Sequence, residues 1–347
     1  MTLAARKGSK LFAVLLICIV CAALVLLGPK QEIVHRGEIF GTTFEVKWFG
    51  SSFDSTSEKS KIDLALSRVD QLMSTYKPDS ELSKLNQNPS LDWIGLSKET
   101  IQVLSEAQKI YLLTDGAFDP TIGPLVELWG FGAKGYVDQP PKDALIKKYL
   151  ANSGFSKLEI ELEANQVRKL DSTELQIDLS AIAKGFAVDE IARLLSDLGH
   201  ERYMVEVGGE VRVRGNSSLG EGWRIAIARP DNSLRGVDSS AQRIISLRGS
   251  AMATSGTYRN YFESGKKFYS HTLDPKTGYP VDHPTVSVTV VAKSCTEADA
   301  LATAFLVMGS KKALDLAERE GIAVLFYDRA GRQFIERHSS LFEKSYL

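Results

Sequence analysis

Cysteine is scarce in this chain. Of the three cysteines, Cys18 and Cys21 lie in an apolar N-terminal run, and only Cys295 lies beyond it. A single cysteine cannot form an intrachain disulfide, so the sequence excludes a small scaffold stapled by disulfides after that run. The chain must rely on a hydrophobic core. Its 347 residues, 44% of them hydrophobic, are enough for one large domain or two ordinary ones.

An excess of positive charge is also lacking. The chain has 42 basic and 43 acidic residues, and residues 1–28 hold Arg6, Lys7 and Lys10 but no acid. The remainder is therefore mildly acidic, which argues against nucleic acid as the main partner.

Several signature motifs are missing as well. The five histidines are scattered with no H-E-x-x-H, and there is no Walker loop, G-x-G-x-x-G or G-x-S-x-G.

A basic flank precedes an uncharged apolar run at residues 11–27. As a helix this run spans about 25 Å, at the short end for a bilayer, and the flank predicts that the rest of the chain is exported. The run is either a cleaved signal peptide or an uncleaved anchor. No A-x-A pattern follows it, and large residues precede Cys18 and Cys21, where a lipoprotein signal has a small one. We therefore predict an inner-membrane anchor over residues 1–28, with the remainder facing the periplasm.

Helical and strand periodicities alternate along the chain, which predicts an α+β fold with mixed or antiparallel sheets flanked by helices. Strands are predicted at 38–48 and 286–292, a strand pair or a single bulged strand at 204–213 and a hairpin around 263–266. Helices are predicted at 62–73, 101–112, 181–198, 296–307 and 311–320, with a connecting unit at 138–154 and a polar loop at 229–241. We divide the chain into the segment 1–28, a main domain at 38–330 and a C-terminal tail at 331–347.

The most informative stretch is residues 174–189, E-L-Q-I-D-L-S-A-I-A-K-G-F-A-V-D. An apolar strand at 175–179 is predicted to run into an amphipathic helix, with Asp178 and Lys184 at the junction. The free N–H groups and positive dipole end of the helix then lie beside one negative and one positive side chain. Such a junction suits a phosphate-bearing ligand, although many α/β turns resemble it.

Two loops are candidates for ligand contact. Tyr76 lies between a helix end and Pro78, so we expect its ring at the surface, where it either stacks on a planar heterocycle or covers the edge of the core. Residues 117–132 hold prolines and glycines among apolar residues, which predicts a shaped loop and not a regular element. This loop either lets backbone approach a ligand or is a packed connector anchored by Trp129 and Phe131.

Hydroxyl groups and a histidine occur together in the β-rich part of the chain. Thr254, Ser255, Gly256 and Thr257 suit contact with phosphate, although a polar turn also explains such a cluster. His271 lies at a predicted strand end beside the turn D-P-K-T-G. A lone histidine is more often structural than catalytic, but the nearby hydroxyl-rich segment makes a catalytic base an equal alternative.

Asp299 and Thr303 are spaced i and i+4 in a predicted helix, so their oxygens share one face. Oxygens placed in this way can bind a hard cation such as Mg²⁺. A structural alternative is a capping box formed by Thr296 and Asp299, with Asp in place of the usual Glu. Capping would account for Asp299 but not for Thr303.

Taken in order, five segments resemble the ApbE family of FAD:protein FMN transferases: M-S-T-Y-K-P-D-S-E-L-S, F-D-P-T-I-G-P-L-V-E-L-W-G-F-G, D-L-S-A-I-A-K-G-F-A-V-D, S-H-T-L-D-P-K-T-G-Y-P and E-A-D-A-L-A-T-A. The resemblance covers residues 38–328. It implies the two-lobed α+β fold of that family and an exported enzyme that binds FAD and uses Mg²⁺. Such an enzyme moves FMN onto a Thr or Ser of a protein and releases AMP. The implied acceptors carry an S/T-G-A-T-like segment, as in subunits of Na⁺-translocating NADH:quinone reductase or Rnf-type complexes.

The resemblance also implies a role for individual residues. Tyr76 would stack on the isoalloxazine ring, and Phe40 stands where the family often has Met against the flavin. The remaining FAD contacts would come from Ala117, Phe118, Asp119, Asp178, Lys184 and Leu273. Mg²⁺ would be bound by Asp299, Thr303 and the backbone carbonyl of Ala181. The family often has a second Asp just before that Thr, and Ala302 takes its place here.

In the implied reaction an acceptor hydroxyl attacks the FMN phosphorus of FAD, and AMP leaves. Mg²⁺ and Lys184 would neutralise the charge that gathers on the phosphoryl oxygens, and His271 is the candidate base for the hydroxyl proton. Two other functions stay open. A metal-dependent FAD pyrophosphatase would use water in place of the acceptor, and an exported FAD-binding protein would not consume FAD.

Overall fold

The computed structural model describes residues 30–51, 53–170, 174–230, 237–257, 261–264 and 267–347. The predicted N-terminal anchor lies outside these ranges, as do residues 265–266 of the predicted hairpin turn. Among the described residues, no helix has both the length and the apolar character that crossing a membrane requires.

Helices and strands alternate along the described part of the chain. The helices α1 to α8 are Ser55–Met73, Glu81–Gln87, Lys98–Leu113, Gly123–Leu128, Asp143–Asn152, Ala183–Asp197, Cys295–Glu320 and Ser340–Tyr346. The strands β1 to β15 are Gln31–Ile39, Thr42–Gly50, Ile94–Gly95, Leu158–Glu161, Gln166–Lys169, Tyr203–Val207, Glu210–Arg214, Trp223–Pro230, Val237–Leu247, Ala251–Gly256, Tyr261–Ser264, Lys267–Ser270, Thr285–Ala292, Ala323–Ala330 and Gln333–His338.

The centre of the fold is an antiparallel sheet of eight strands in the order β1-β2-β6-β7-β10-β13-β14-β15. Helices α1, α3, α6 and α7 cover one face, and the β8–β9 hairpin with α8 covers the other. In β13, Val288 and Val290 face the helices while Val291 faces the hairpin. This strand is covered on both faces, and its Ser287 and Thr289 are buried together with its valines. The predicted α+β class is confirmed.

Several predicted local features are confirmed. Strands β6 and β7 form the pair around Gly208-Gly209, where both φ angles are positive (63° and 103°). The turn D-P-K-T-G closes through the Gly278 N–H, which donates to the Asp274 carbonyl (2.8 Å). The two helices predicted at 296–307 and 311–320 form α7, which is interrupted at Gly309 by a non-helical backbone (φ 74°, ψ 155°).

The single strand predicted at 38–48 is wrong. The chain reverses at Phe40-Gly41, and β1 pairs with β2 so that Ile39 lies opposite Thr42. Both turn residues have positive φ, 54° for Phe40 and 71° for Gly41, as a two-residue type I′ turn requires. Phenylalanine is rare in this conformation, so the sequence carries no ordinary turn signal at this point.

Other assignments are wrong because short elements escaped the sequence patterns. Residues 175–179 are not a regular strand, since only a single bridge joins Gln176 to Ile122. The predicted loop at 117–132 contains α4, which begins next to Pro124, and the predicted connecting unit at 138–154 contains α5. The loop at 229–241 is shorter than predicted, because β8 runs to Pro230 and β9 begins at Val237.

Residues 331–347, set apart above as a C-terminal tail, include β15 and α8. Strand β15 is the last strand of the main sheet. Helix α8 is capped by Ser339, whose Oγ accepts from the Phe342 N–H (3.3 Å), and the Phe342 ring is fully buried. The domain boundaries at 38 and 330 stay a prediction.

Candidate active site

A cavity of about 870 Å³ opens where the start of α6 and the first half of α7 meet the β1–β2 turn and the loops after α1 and α3. Every residue assigned above to FAD, Mg²⁺ or catalysis lines this cavity: Phe40, Tyr76, Ala117, Phe118, Asp119, Asp178, Ala181, Lys184, His271, Leu273, Asp299 and Thr303. The individual roles stay predictions. The structure brings all twelve residues to one place, although they come from segments that are far apart in the chain.

Asp178 lies on the extended segment that leads into α6. Its N–H donates to the Pro120 carbonyl (2.7 Å), and its Oδ1 accepts from the Ser180 N–H (2.8 Å). Burial raises the pKa of Asp178, and the bonds from Ser180 oppose this rise. The fold therefore holds a carboxyl group at the cavity against a desolvation penalty.

Lys184, in the first turn of α6, lies between two buried carboxylates. Its Nζ is 3.4 Å from Oε1 of Glu210 and 3.7 Å from Oδ2 of Asp299. The two carboxylate side chains are only 2% and 3% exposed, whereas that of Lys184 is 27% exposed. The three groups formally carry one negative charge in excess. Because low dielectric strengthens charge interactions, this cluster favours a cation in the cavity.

Asp299 belongs to this cluster and not to a helix cap. Helix α7 is capped by Ser294, whose Oγ accepts a backbone N–H of the first turn (3.2 Å), so the capping box of Thr296 and Asp299 is wrong. Oδ2 of Asp299 instead accepts from the Gly185 N–H (2.9 Å). A Cβ at Gly185 would stand 2.3 Å from a backbone oxygen of α7, so only glycine allows the two helices to approach this closely.

The donors predicted for Mg²⁺ are hard oxygens, the type that this ion takes. Thr303 follows Asp299 by one helical turn, and its hydroxyl is 3.0 Å from Oγ of Ser255. Ala302 is fully buried and supplies no ligand. In the described ranges, no three His, Cys, Asp or Glu side chains are grouped as metal ligands. The residues therefore fit an ion held by few protein donors, of the kind that keeps several waters and binds substrate phosphates.

Two aromatic residues border the cavity from loops. The Tyr76 ring is 67% exposed, as predicted. Partial burial, assisted by the charge of Asp178, raises the pKa of its phenol. Phe40 lies at a φ of 54°, a strained conformation for a bulky residue and one that recurs at functional sites. Flat rings in these positions suit stacking on a planar heterocycle.

Asp119 holds the loop after α3 against the cavity. Its Oδ1 accepts from the N–H and the hydroxyl of Thr121 (2.8 and 2.6 Å), and its Oδ2 accepts from the Phe155 N–H (3.2 Å). Burial raises the pKa of Asp119, and these hydrogen bonds oppose the rise. Both oxygens thus bind the protein itself, which fixes the backbone that carries Ala117 and Phe118.

His271 directly follows β12 at the edge of an aromatic cluster. Its ring lies 6.2 Å from that of Phe131 in an edge-on arrangement, and Phe131 lies 5.7 Å from Phe262. Two residues further on, Leu273 is 3% exposed and packs with Leu125 of α4. This packing holds the imidazole at the cavity wall, where a base acting on a bound substrate has to lie.

Known proteins match this chain in sequence and in fold. The model of the ApbE family matches residues 40–326. The chain belongs to the ApbE family. A relative named FAD:protein FMN transferase from Vibrio cholerae is 43% identical over 93% of this chain and 96% of its own length. A relative of the same name from Escherichia coli K12 is 36% identical over 95% of this chain and 97% of its own.

Solved ApbE structures confirm the fold. The flavin transferase ApbE from Vibrio cholerae superposes with a TM-score of 0.83 at 41% identity, covering 92% of this chain and all 100% of that one. The apo form of the Pseudomonas stutzeri flavinyl transferase ApbE gives a TM-score of 0.83 at 35% identity, covering 92% and 98%. The resemblance based on five segments is therefore confirmed for family and fold.

Glu210 is a charged residue of this ApbE cavity that sequence reasoning missed. It follows Gly208-Gly209 at the start of β7, lines the cavity and is 2% exposed. The available signal was an acidic residue leading into an apolar strand, because a buried carboxylate needs a partner. Its partner, Lys184, lies on another element, so the ion pair between the two residues could not be predicted from the local sequence. Of the hydroxyl-rich segment, residues 254–256 line the cavity.

Proposed function

We propose that this protein transfers FMN from FAD to a Thr or Ser hydroxyl of an acceptor protein and releases AMP. The observation that carries the proposal is the convergence, in one cavity, of an exposed tyrosine, a charged cluster around Lys184 and a histidine. Membership of the ApbE family supports it, as does the name FAD:protein FMN transferase that its relatives bear.

FAD is proposed to bind with its flavin between the aromatic loops. Tyr76 stacks on the isoalloxazine ring, Phe40 and Leu273 pack against it, and residues 117–119 enclose it. The pyrophosphate then lies near the start of α6, where backbone N–H groups and Lys184 favour negative charge. Asp178, held at the same wall, offers a hydrogen-bonding group to the bound nucleotide.

The proposed chemistry is the displacement of AMP at the FMN phosphorus. The acceptor oxygen forms a bond to that phosphorus, the bond from phosphorus to the bridging oxygen breaks, and this oxygen leaves with AMP. His271 takes the proton from the acceptor hydroxyl. Lys184 offsets negative charge on the phosphoryl oxygens, which is most of what phosphoryl transfer asks of a protein.

Asp299, Thr303 and the Ala181 carbonyl are proposed to hold Mg²⁺. When bound, the ion supplies charge neutralisation at the pyrophosphate and in the transition state. The excess negative charge of the cluster around Lys184 supports a cation there, and Ala302 leaves room in the coordination shell for water.

The acceptor is proposed to be a protein segment of the S/T-G-A-T type in a subunit of a membrane redox pump, such as Na⁺-translocating NADH:quinone reductase or an Rnf-type complex.

We also propose that residues 1–28 anchor the protein in the inner membrane with the catalytic part in the periplasm, since a basic flank precedes an apolar run. The protein should then fractionate with membranes and be cleaved by protease added from the periplasmic side. A soluble form beginning shortly after residue 28 would contradict the anchor.

Mass spectrometry tests the reaction. The protein is mixed with FAD, Mg²⁺ and an acceptor domain carrying an S/T-G-A-T segment, and the same acceptor with its threonine changed to alanine is the control. We expect the acceptor to gain the mass of FMN in step with AMP release, and the control to gain none. AMP and free FMN without a modified acceptor would indicate a pyrophosphatase, and unconsumed FAD would indicate a binding protein.

A further inference from the structure

Glu210 lies at the end of a tight turn. Gly208, with a φ of 63°, begins the turn between β6 and β7. A Cβ at Gly208 would stand 2.9 Å from Cγ2 of Thr42 and 3.4 Å from Oε2 of Glu210. The glycine therefore allows the turn to approach Thr42 of the β1–β2 hairpin closely, and the carboxylate lies beside this contact. A buried carboxylate in such a place requires compensation by a nearby cation or by hydrogen bonds.

Lys184 forms an ion pair with this carboxylate, and Asp299 competes for it. The ammonium lies closer to Glu210 (3.4 Å) than to Asp299 (3.7 Å). An ammonium that moved closer to Asp299 than this would offset the negative charge that attracts a metal ion. The attraction of Glu210 draws the ammonium in another direction, so the position of Lys184 depends on the balance between the two carboxylates.

We propose that Glu210 is a positioning residue that holds Lys184 away from Asp299 and so keeps Asp299 available to the metal ion. Glu210 acts through Lys184 and does not touch the reacting atoms. The proposal rests on the proposed function for the identity of the substrate and the metal. Its central claim, that Glu210 and Lys184 together set metal affinity, can be measured without any transfer reaction.

The first test uses Glu210→Gln, which keeps the size of the side chain and removes its charge. Mn²⁺ is the probe, and electron paramagnetic resonance of free Mn²⁺ gives its affinity with and without FAD. We expect Mn²⁺ to bind about tenfold more weakly than in the wild type, a usual size for coupling between sites. Single-turnover transfer at saturating Mn²⁺ should stay within about threefold of the wild-type rate, because the reacting groups are intact.

A double-mutant cycle separates this role from a plain loss of negative charge. On a Lys184→Met background there is no ammonium to compete for Asp299. Glu210→Gln should then change Mn²⁺ affinity by less than about twofold. An equal tenfold loss on both backgrounds would overturn the proposal, since it would mean that Glu210 acts only through its field. Transfer that stays 100-fold slow at saturating Mn²⁺ would also overturn it, by placing Glu210 at the reacting atoms.

Matched controls guard against a folding defect. Glu45 lies on β2 of the same sheet, pairs with Lys47 at 2.5 Å and is not among the residues that line the cavity, so Glu45→Gln should leave Mn²⁺ affinity unchanged. If Glu210→Gln does not fold, Glu210→Asp keeps the charge but moves it away from Lys184, and an intermediate loss of affinity is expected. Unchanged affinity in a folded Glu210→Asp or Glu210→Gln variant would refute the proposal. Failure of wild-type transfer, with the Mn²⁺ cycle intact, would count against the proposed function alone.

Discussion

Two buried groups of polar residues on the helical side of the sheet are built in opposite ways. In the first, one oxygen of Glu58 accepts from Nε1 of Trp48 (2.7 Å), and the other lies 2.8 Å from Nε2 of His200. Nδ1 of His200 lies 3.2 Å from the Phe49 carbonyl, which can only accept. All three residues are at most 7% exposed. This group is closed, because each carboxylate oxygen has a hydrogen-bond partner within the protein.

In the second group, Glu210 and Asp299 both pair with the ammonium of Lys184, and all three residues line the cavity. The formal charges do not cancel, and the group faces a space large enough for a ligand. The comparison shows that the burial of a charged side chain does not by itself reveal its role. A closed polar group contributes to the stability of the fold. An open group with excess negative charge favours the binding of a cation.

The largest effect should come from Asp299 in the open group. Asp299→Asn keeps an acceptor for the Gly185 N–H but weakens the metal site, so transfer at moderate Mg²⁺ should fall by roughly 10³-fold or more. The free energy of unfolding should change by about 1 kcal/mol or less. Single-turnover kinetics across a Mg²⁺ titration and chemical denaturation measure the two effects. Asp315→Asn, an exposed position on the same helix, is the control, and normal turnover of Asp299→Asn would remove Asp299 from the metal site.

A substitution in the closed group should lower the stability of the protein and leave the transfer rate nearly normal. Glu58→Ala leaves Nε1 of Trp48 and Nε2 of His200 buried without their hydrogen-bond partner, so the free energy of unfolding should fall by about 3 kcal/mol. The folded fraction should still transfer FMN at a nearly normal rate. Urea denaturation with activity per folded molecule checks this. Asp63→Ala on the same helix, which breaks the exposed pair with His35, should cost less than about 1 kcal/mol, and equal losses in the two variants would contradict the contrast.

His271 belongs to neither group but lines the same cavity as the open one. His271→Ala should slow single-turnover transfer by roughly 10²-fold, about 2.7 kcal/mol in the barrier, with little change in FAD affinity or melting temperature. A base must be neutral to accept the proton, so the wild-type rate should fall at low pH. His35→Ala, outside the cavity, is the control. Loss of FAD binding together with stability, and a near-normal transfer step, would mean that His271 only supports the D-P-K-T-G turn.

The smallest effect concerns Asp178, whose pKa burial raises above its ordinary value of 3.8. A raised pKa means that the folded protein binds the proton more tightly, so this group makes the protein less stable as pH rises through and above that value. Asp178→Asn should therefore raise the melting temperature of the ligand-free protein by a few degrees at neutral pH while weakening FAD binding. The gain should vanish below about pH 4. Asp79→Asn on the exposed turn should show neither change, and a pH-independent gain would contradict the desolvation argument.

Local patterns predicted much of the helical framework and the chemistry of the site. The i, i+4 spacing placed Asp299 and Thr303 on one face of α7, and the strand–helix junction pointed to Asp178 and Lys184. The same patterns were wrong for the capping box. Ser294 and Thr296 are both acceptable caps by local rules, and only the close approach of Gly185 to Asp299 decides between them. They also missed the Phe40-Gly41 turn, since a phenylalanine at positive φ gives no turn signal.

By itself the sequence determined the family, the α+β class and the residue types that line the cavity, because these depend on motifs and on periodicities within single elements. Only the tertiary structure decided that Glu210 and Asp299 share Lys184, that Asp119 binds its own loop, and that Glu58 closes a group with Trp48 and His200. Apart from the bonds between Asp119 and Thr121, these contacts join residues on different elements of the fold. Their distances follow from how α1, α6 and α7 pack on the sheet, and no local propensity encodes that packing.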